Sequence, residues 1–327
     1  MYGSKIYEQS NMALRFKAGK FTVTPTPQPL SHVVKDFLFL NYSFVWGSST
    51  YFKYILGRGH TGDIATEQTY RSFLANPNVS YRVIVVYLHE PDQLEAINKY
   101  IDAHPESYLI EHDDTDSEQI LRWTRREPDL YMRREQTPDT RRITVSPIYP
   151  FHFPMDPIYV PSEKVYDVCF VGTMTSQRRI NFVTKLKELS EGSLRHLRWY
   201  IDARDYPGWV PGYASEGFSS AVNKSKIGLH YFGGSYDATR IWEVLSCDTA
   251  LLMPAQRIRI PEQPLVDDAY EQLADDFSDL EDKILGLLEN DRWKEVAARG
   301  RAEYAKYHTK EKCCEYYYDK VISHCFE

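Results

Sequence analysis

The segment RVIVVYLHEPDQLEAINKYIDAHPESYLIEHD, residues 82–113, carries the reading of the fold. RVIVVYL (82–88) is a continuous β-branched apolar run of strand length, the pattern of a strand buried on both faces. Pro91 suits the first turn of a helix and opens PDQLEAINKYIDAH (91–104), after which SYLIEHD (107–113) predicts the next strand. Strand, helix, strand is the unit of a parallel sheet, and the unit recurs on either side.

Upstream, VVKDFLFLNY (33–42) predicts a strand, followed by a turn at Gly47–Thr50 and a helix. Downstream, DSEQILRWTRR (116–126) predicts a helix, and DLYMRR (129–134) and RITVSPIY (142–149) predict strands. The stretch 147–164, PIYPFHFPMDPIYVPSEK, is rich in proline and predicts an extended connector, placing a boundary near Pro154–Pro161. The alternation then restarts with DVCFVGTM (167–174), a helix at Ile180–Leu189 and LRWYID (197–202). It continues with a helix at Ser219–Ser225, KIGLHYF (226–232), a helix at Ala238–Ser246 and TALLMP (249–254). The last 50 residues, Asp279 to Phe326, are helical in period. The expected class is α/β, with two doubly wound Rossmann-like domains, residues 1–155 and 156–327.

At 327 residues with 43% hydrophobic and 26% charged, the chain is long enough for two cores. Its 39 Lys+Arg against 46 Asp+Glu give a formal charge of −7, which excludes a basic nucleic-acid wrapper and makes any phosphate contact local. No run of about 18 apolar residues exists, and the first 20 lack a signal-peptide core, so the expected compartment is the cytoplasm, without membrane contact. Cys169, Cys247, Cys313, Cys314 and Cys325 form no CxxC, and no metal site or disulfide framework is expected.

Four segments can carry chemistry. In GGSYDATRIWEVLSCD (233–248), Gly233 and Gly234 lead from a strand into a helix whose first turn offers free N–H groups to an anion. Arg240 and Glu243 share a helical face, presenting a guanidinium for phosphate and a carboxylate for ribose hydroxyls; the alternative is a surface salt bridge. In DVCFVGTMTSQRRI (167–180), Gly172 ends a strand, and Ser176, Arg178 and Arg179 begin a helix, again a phosphate environment or a plain solvated turn. In IEHDDTD (110–116), Asp113 and Asp114 follow the strand as candidate general bases, with helix capping, above all by Asp116, as the alternative. Arg122, Arg125, Arg126, Arg133, Arg134, Arg141 and Arg142, interleaved with Trp123 and Tyr131, form the densest basic stretch, either a face for a polyanion or a solvated, salt-bridged one. GxGxxG, Walker, HExxH and GxSxG patterns are absent.

Two Rossmann-like halves, a Pro-rich connector and a helical tail resemble the GT-B glycosyltransferases, in which the last helix crosses back to the first domain. YDVCFVGTMTSQRR (166–179), WYIDARDYPGW (199–209) and TRIWEVLSCDTALL (239–252) resemble, in order and spacing, the sugar-nucleotide segments of the bacteriophage DNA β-glucosyltransferases. They are more loosely similar to the CgeB-like and exostosin-like glycosyltransferases. The resemblance implies a UDP-sugar donor, with Arg240 and Arg178 or Arg179 on the diphosphate and Glu243 on the ribose. By the same resemblance Gly172, Gly233 and Gly234 would line the donor site, and the loop from Asp202 through Arg204 to Gly212 would hold uracil.

Asp113 or Asp114 would be the base of an inverting transfer, since Ser235 stands where the first Glu of the retaining E-x7-E pattern would be. A divalent metal is optional. The implied acceptor is a hydroxymethylated pyrimidine in phage-type DNA, reached in a host cytoplasm and met by Arg125, Arg126, Arg133 and Arg134. A glycan or small-molecule hydroxyl, or nucleotide-sugar binding without turnover, are the alternatives. Should neither aspartate serve, His60, Asp63 and Glu90 are next.

Overall fold

The computed structural model describes residues 15–17, 20–22, 32–40, 48–66, 68–87, 91–114, 123–136, 148–151, 154–204, 217–233, 236–259 and 268–326. An antiparallel pair, β1 (Arg15–Lys17) and β2 (Lys20–Thr22), precedes two parallel sheets.

The first sheet contains β3 (Val33–Leu40), β4 (Gly62–Ala65), β5 (Val79–Tyr87), β6 (Tyr108–Asp113), β7 (Leu130–Arg133) and β8 (Ile148–Pro150), in the order β4-β3-β5-β6-β7-β8. Its helices are α1 (Ser48–Gly57), α2 (Tyr70–Leu74) and α3 (Pro91–Ala103). The alternating side chains of β3 and β5 divide between two cores, as period 2 requires. Phe37, Phe39, Val83 and Val85 face α1, whereas Leu38, Leu40, Ile84 and Val86 face α2 and α3.

The second sheet contains β9 (Tyr166–Thr173), β10 (Trp199–Arg204), β11 (Ser225–Leu229), β12 (Ala250–Pro254) and β13 (Glu271–Leu273), in the order β10-β9-β11-β12-β13. One face packs on α4 (Gln177–Glu191), α7 (Leu280–Leu288) and α8 (Trp293–Glu303), and the other on α5 (Phe218–Asn223) and α6 (Thr239–Leu245). The Pro-rich connector runs between the two sheets.

After α8 the chain returns to the first sheet. Cys313, Cys314, Tyr317 and Val321 of α9 (Lys310–Cys325) join Phe37, Phe39, Tyr51 and Phe52 in one core, with the Tyr317 ring stacked on Tyr51 at 4.3 Å. The architecture is therefore the expected α/β GT-B type, with two doubly wound sheets and a tail that crosses back. No described helix is long and apolar enough to span a membrane.

Three local expectations change. The helix expected at 116–126 lies outside the described residues up to 122. From 123 the chain is not helical, because the Trp123 and Thr124 N–H groups donate to the buried Glu111 carboxylate (3.2 and 2.7 Å). The strand expected at 142–149 is described only from Ile148. β4, α2 and β13 were not anticipated; each has three to five residues, too few to show a period.

Candidate functional site

In both sheets the first strand lies between the second and third, so the strand order reverses beside β3 and beside β9. At such a switch point the connections leave in opposite directions and open a crevice beyond the carboxyl ends of the strands. In the second sheet the switch point falls between the end of β9, beside Gly172, and the segment after β11, at Tyr231–Gly233.

Two arginines meet there. Ser176 caps α4 by accepting the Arg179 N–H (3.3 Å), which sets Arg179 in the first turn. Its guanidinium is buried and donates to the carbonyls of Tyr231 (3.1 and 2.7 Å) and Thr173 (3.0 Å). Gly233 lies directly against it: a Cβ there would stand 2.7 Å from the guanidinium carbon. Arg240, from α6, lies over the Phe218 ring at 4.8 Å, and Gly172 leaves it room, since a Cβ on Gly172 would come within 3.3 Å of its Nη1.

Neither guanidinium is neutralised in the usual way. Arg179 bonds only carbonyls in these contacts, and Arg240 Nε has no hydrogen-bond partner among the described residues. Glu243 acts on Arg240 through its charge, with no hydrogen bond between them, so the expected alternative of a simple i,i+3 bridge is not what forms. Burial and then the Arg240 charge bring the Arg179 guanidinium down to about 10, and burial lowers Arg240 as well. Burial raises the Glu243 carboxyl, and Arg240 opposes that rise. His230, buried next to the pair, is held neutral by burial and by both arginines. A buried cation held only by carbonyls beside a half-buried one with an unpartnered Nε favours an anion at this point.

The remaining expected donor residues divide. Arg178 is exposed, so Arg179 is the member of that pair turned into the crevice. Asp202 is buried at the end of β10 and pairs with the exposed Arg204 at 3.5 Å. Gly234, Ser235 and residues 205–216, which include most of the loop expected to hold uracil, lie outside the described residues. α6 is only seven residues long, and its N-cap, Ala238, provides no side-chain cap.

The two aspartates after β6 have different surroundings. Asp113 is the Cα partner of Arg133 in the β6–β7 ladder, forms a fully buried ion pair with it, and accepts the Tyr131 hydroxyl (2.9 Å). Asp114, one residue on, pairs with Arg134 through Nε, accepts Arg134 Nη2 on its carbonyl (3.0 Å), and takes the Tyr87 hydroxyl at 3.3 Å. Burial lifts its carboxyl to about 6, against the pull of Arg134.

The expected basic face is corrected. Arg133 and Arg134 are buried in these ion pairs, Arg125 pairs with Glu95, and Arg126 is tied to the carbonyls of Ser107 and Pro105 and to Asp129 (3.0 Å). Arg133 and Arg134 have no surface with which to meet a polyanion, because the carboxylates that neutralise them come from an adjacent strand far away in sequence. Arg122, Arg141, Arg142 and Asp116 lie outside the described residues, as does Glu90. Of the reserve bases, Asp63 is held by Lys35 (2.7 Å) and Tyr81 (2.6 Å), and His60 faces Asp36 at 3.7 Å.

Sequence reasoning missed Glu135 and Asp237, which face each other where the two lobes meet. Burial raises the Asp237 carboxyl to about 7, with Arg134 and Trp242 opposing and Glu135 and Asp114 adding to the rise; Trp242 Nε1 donates to it (2.8 Å).

Residues 178–318 match the glycosyl transferase-like family model, a span that contains Arg179, Arg240 and Glu243. No curated protein sequence is matched. Among solved structures, HepE (Alr3699) of Anabaena in complex with UDP superposes with a TM-score of 0.53 over 88% of this chain and 100% of that one, at 10% identity. Sucrose-phosphate synthase (tll1590) of Thermosynechococcus elongatus superposes with a TM-score of 0.55 over 88% and 100%, at 9% identity. The GtfA/B complex gives 0.53 over 80% of this chain and 61% of that one, at 10% identity. These likenesses establish the GT-B fold, and the family match places a glycosyl transferase-like region in the second half of the chain.

Proposed function

We propose that this protein is a UDP-sugar-dependent glycosyltransferase of the inverting type. The observation that carries the reading is the pair of guanidiniums at the switch point of the second sheet: Arg179, buried and held by carbonyls alone, and the half-buried Arg240, whose Nε has no partner among the described residues. Residues from about 156 form the donor lobe, and residues up to about 155, with the returning α9, form the acceptor lobe. In the donor lobe Arg179 and Arg240 meet the diphosphate, Gly172 and Gly233 give it room, and Glu243 accepts hydrogen bonds from the ribose hydroxyls. Asp202, Arg204 and Gly234 stand at the margin of this site. HepE, with UDP bound on the same fold, supports the choice of nucleotide.

Of the two candidate bases we choose Asp114. Asp113 is locked to Arg133 inside the sheet, whereas Asp114, paired with Arg134, lies just past the strand and has a carboxyl raised to about 6, suited to accept a proton near neutral pH. The acceptor O–H proton passes to the Asp114 carboxylate as the hydroxyl oxygen bonds to the anomeric carbon. The bond from that carbon to the UDP oxygen breaks, and Arg179 and Arg240 stabilise the charge on the departing phosphate. The residues as they stand call for no metal in this step.

For the acceptor, the paired state of Arg125, Arg126, Arg133 and Arg134 favours a glycan or small-molecule hydroxyl. A hydroxymethylated pyrimidine in DNA now rests on the resemblance of the donor segments alone. The test is release of UDP from a panel of UDP-sugars, with and without candidate acceptors, followed by mass spectrometry of the acceptors. Donor-dependent UDP release that Asp114→Asn abolishes supports the reading; no release from any donor contradicts it.

A further inference from the structure

The acceptor lobe grips the donor lobe at the Tyr236–Asp237 backbone. Glu135, just past β7, accepts the Tyr236 N–H at Oε2 (2.9 Å) and the Asp237 N–H at Oε1 (2.8 Å). Its neighbour Arg134 donates from Nη1 to the Asp237 carbonyl (2.8 Å) and to Glu135 Oε1 (3.1 Å). One residue further, the Gln136 carbonyl accepts the Arg259 N–H (2.6 Å). Both side chains are almost fully buried, so these bonds are shielded from water and are strong for their kind.

The gripped stretch connects the two halves of the anion site. At one end is Gly233, whose missing side chain admits the Arg179 guanidinium; at the other is Ala238, which leads into α6 and Arg240. Ala238 offers no side-chain cap, and within the donor lobe Trp242 Nε1 ties this entry by donating to Asp237 Oδ1 (2.8 Å). The same Arg134 holds Asp114. We infer that Glu135 is a positioning residue for the donor site, anchoring the Tyr236–Asp237 backbone from the opposite lobe so that Arg179 and Arg240 converge on one diphosphate. The inference rests on the donor reading above. Glu135 itself touches backbone, and acts through the arginines.

The test is a double-mutant cycle on UDP affinity, measured by titration calorimetry, for the parent, Glu135→Ala, Arg240→Met and the double variant. Glu135→Ala is expected to weaken UDP about tenfold in the parent background and clearly less once Arg240 is gone, because much of its effect runs through that side chain. Amide exchange at Tyr236 and Asp237 should quicken in Glu135→Ala. Glu135→Gln, which keeps one carbonyl acceptor and the same bulk, should fall between; it carries the cycle if the alanine variant does not fold. Unchanged UDP affinity, or a full tenfold loss repeated in the Arg240→Met background, overturns the inference while leaving the donor reading standing. A parent that binds no UDP removes both.

Discussion

The guanidinium of Arg179 occupies the space that a side chain on Gly233 would need, at 2.7 Å from where its Cβ would be. A methyl group there displaces a flexible but buried side chain from the carbonyls of Tyr231 and Thr173. Gly233→Ala is therefore expected to weaken UDP by tenfold or more, about 1.4 kcal/mol. Alanine at the exposed Arg178 should leave UDP affinity within twofold. Titration of both variants distinguishes the two neighbouring arginines.

Arg240 carries a cost in the unliganded protein, because its guanidinium is desolvated and its Nε lacks a partner. Arg240→Met keeps much of the aliphatic packing and removes the charge. Its melting temperature without nucleotide should equal or exceed that of the parent, while stabilisation by added UDP is largely lost. Thermal melts with and without UDP read both effects in one experiment.

The aspartates after β6 should fail in different ways. Asp113→Asn strands the Arg133 charge inside the sheet and is expected to cost about 3–5 kcal/mol of stability. Asp114→Asn should reduce turnover by about 10²–10⁴ while UDP still binds. Since the base must be ionised, parent turnover should rise with pH through about 6 and level off above it. Denaturant melts and pH–rate profiles test this division of roles.

Asp237 gives stability the opposite pH dependence. Its carboxyl, at about 7 in the folded chain against 3.8 for the ordinary group, holds a proton that the unfolded chain releases. The stability this proton contributes is full below about 4 and is lost as pH rises through about 7. Asp114, raised to about 6, acts in the same direction. Asp237→Asn, which retains an acceptor for Trp242, should melt close to the parent at pH 4 and above it at pH 8.

Much of this fold could be read directly from residues. VIVV and YLIEHD are strands because buried parallel strands leave a continuous apolar signature, and β5 and β6 lie where that signature does. The four-residue strand GDIA and the three-residue edge strand EQL are too short to show such a signature. Gly172, Arg179, Gly233 and Arg240 stood out in the sequence as glycines and arginines at strand-to-helix turns, and the fold brings them close to one another beside β9. Spacing alone left the arginine run open between a polyanion face and a salt-bridged one, because local spacing does not reveal tertiary partners. Asp113 and Arg133 are 20 residues apart and become neighbours only through the β6–β7 register. Glu135 gave no signal at all, as its partners are backbone amides about 100 residues further on.

The most direct test of the central claim, a UDP-sugar donor site built on Arg179, Arg240 and Glu243, is calorimetric titration of UDP into the parent and into Glu243→Ala, with pyrophosphate titrated alongside. The account predicts saturable UDP binding by the parent. It also predicts UDP binding weakened by about 1.5–3 kcal/mol in Glu243→Ala, with pyrophosphate affinity unchanged because the ribose contact alone is lost. Absence of UDP binding by the parent, or equal UDP affinity in the two proteins, would contradict it.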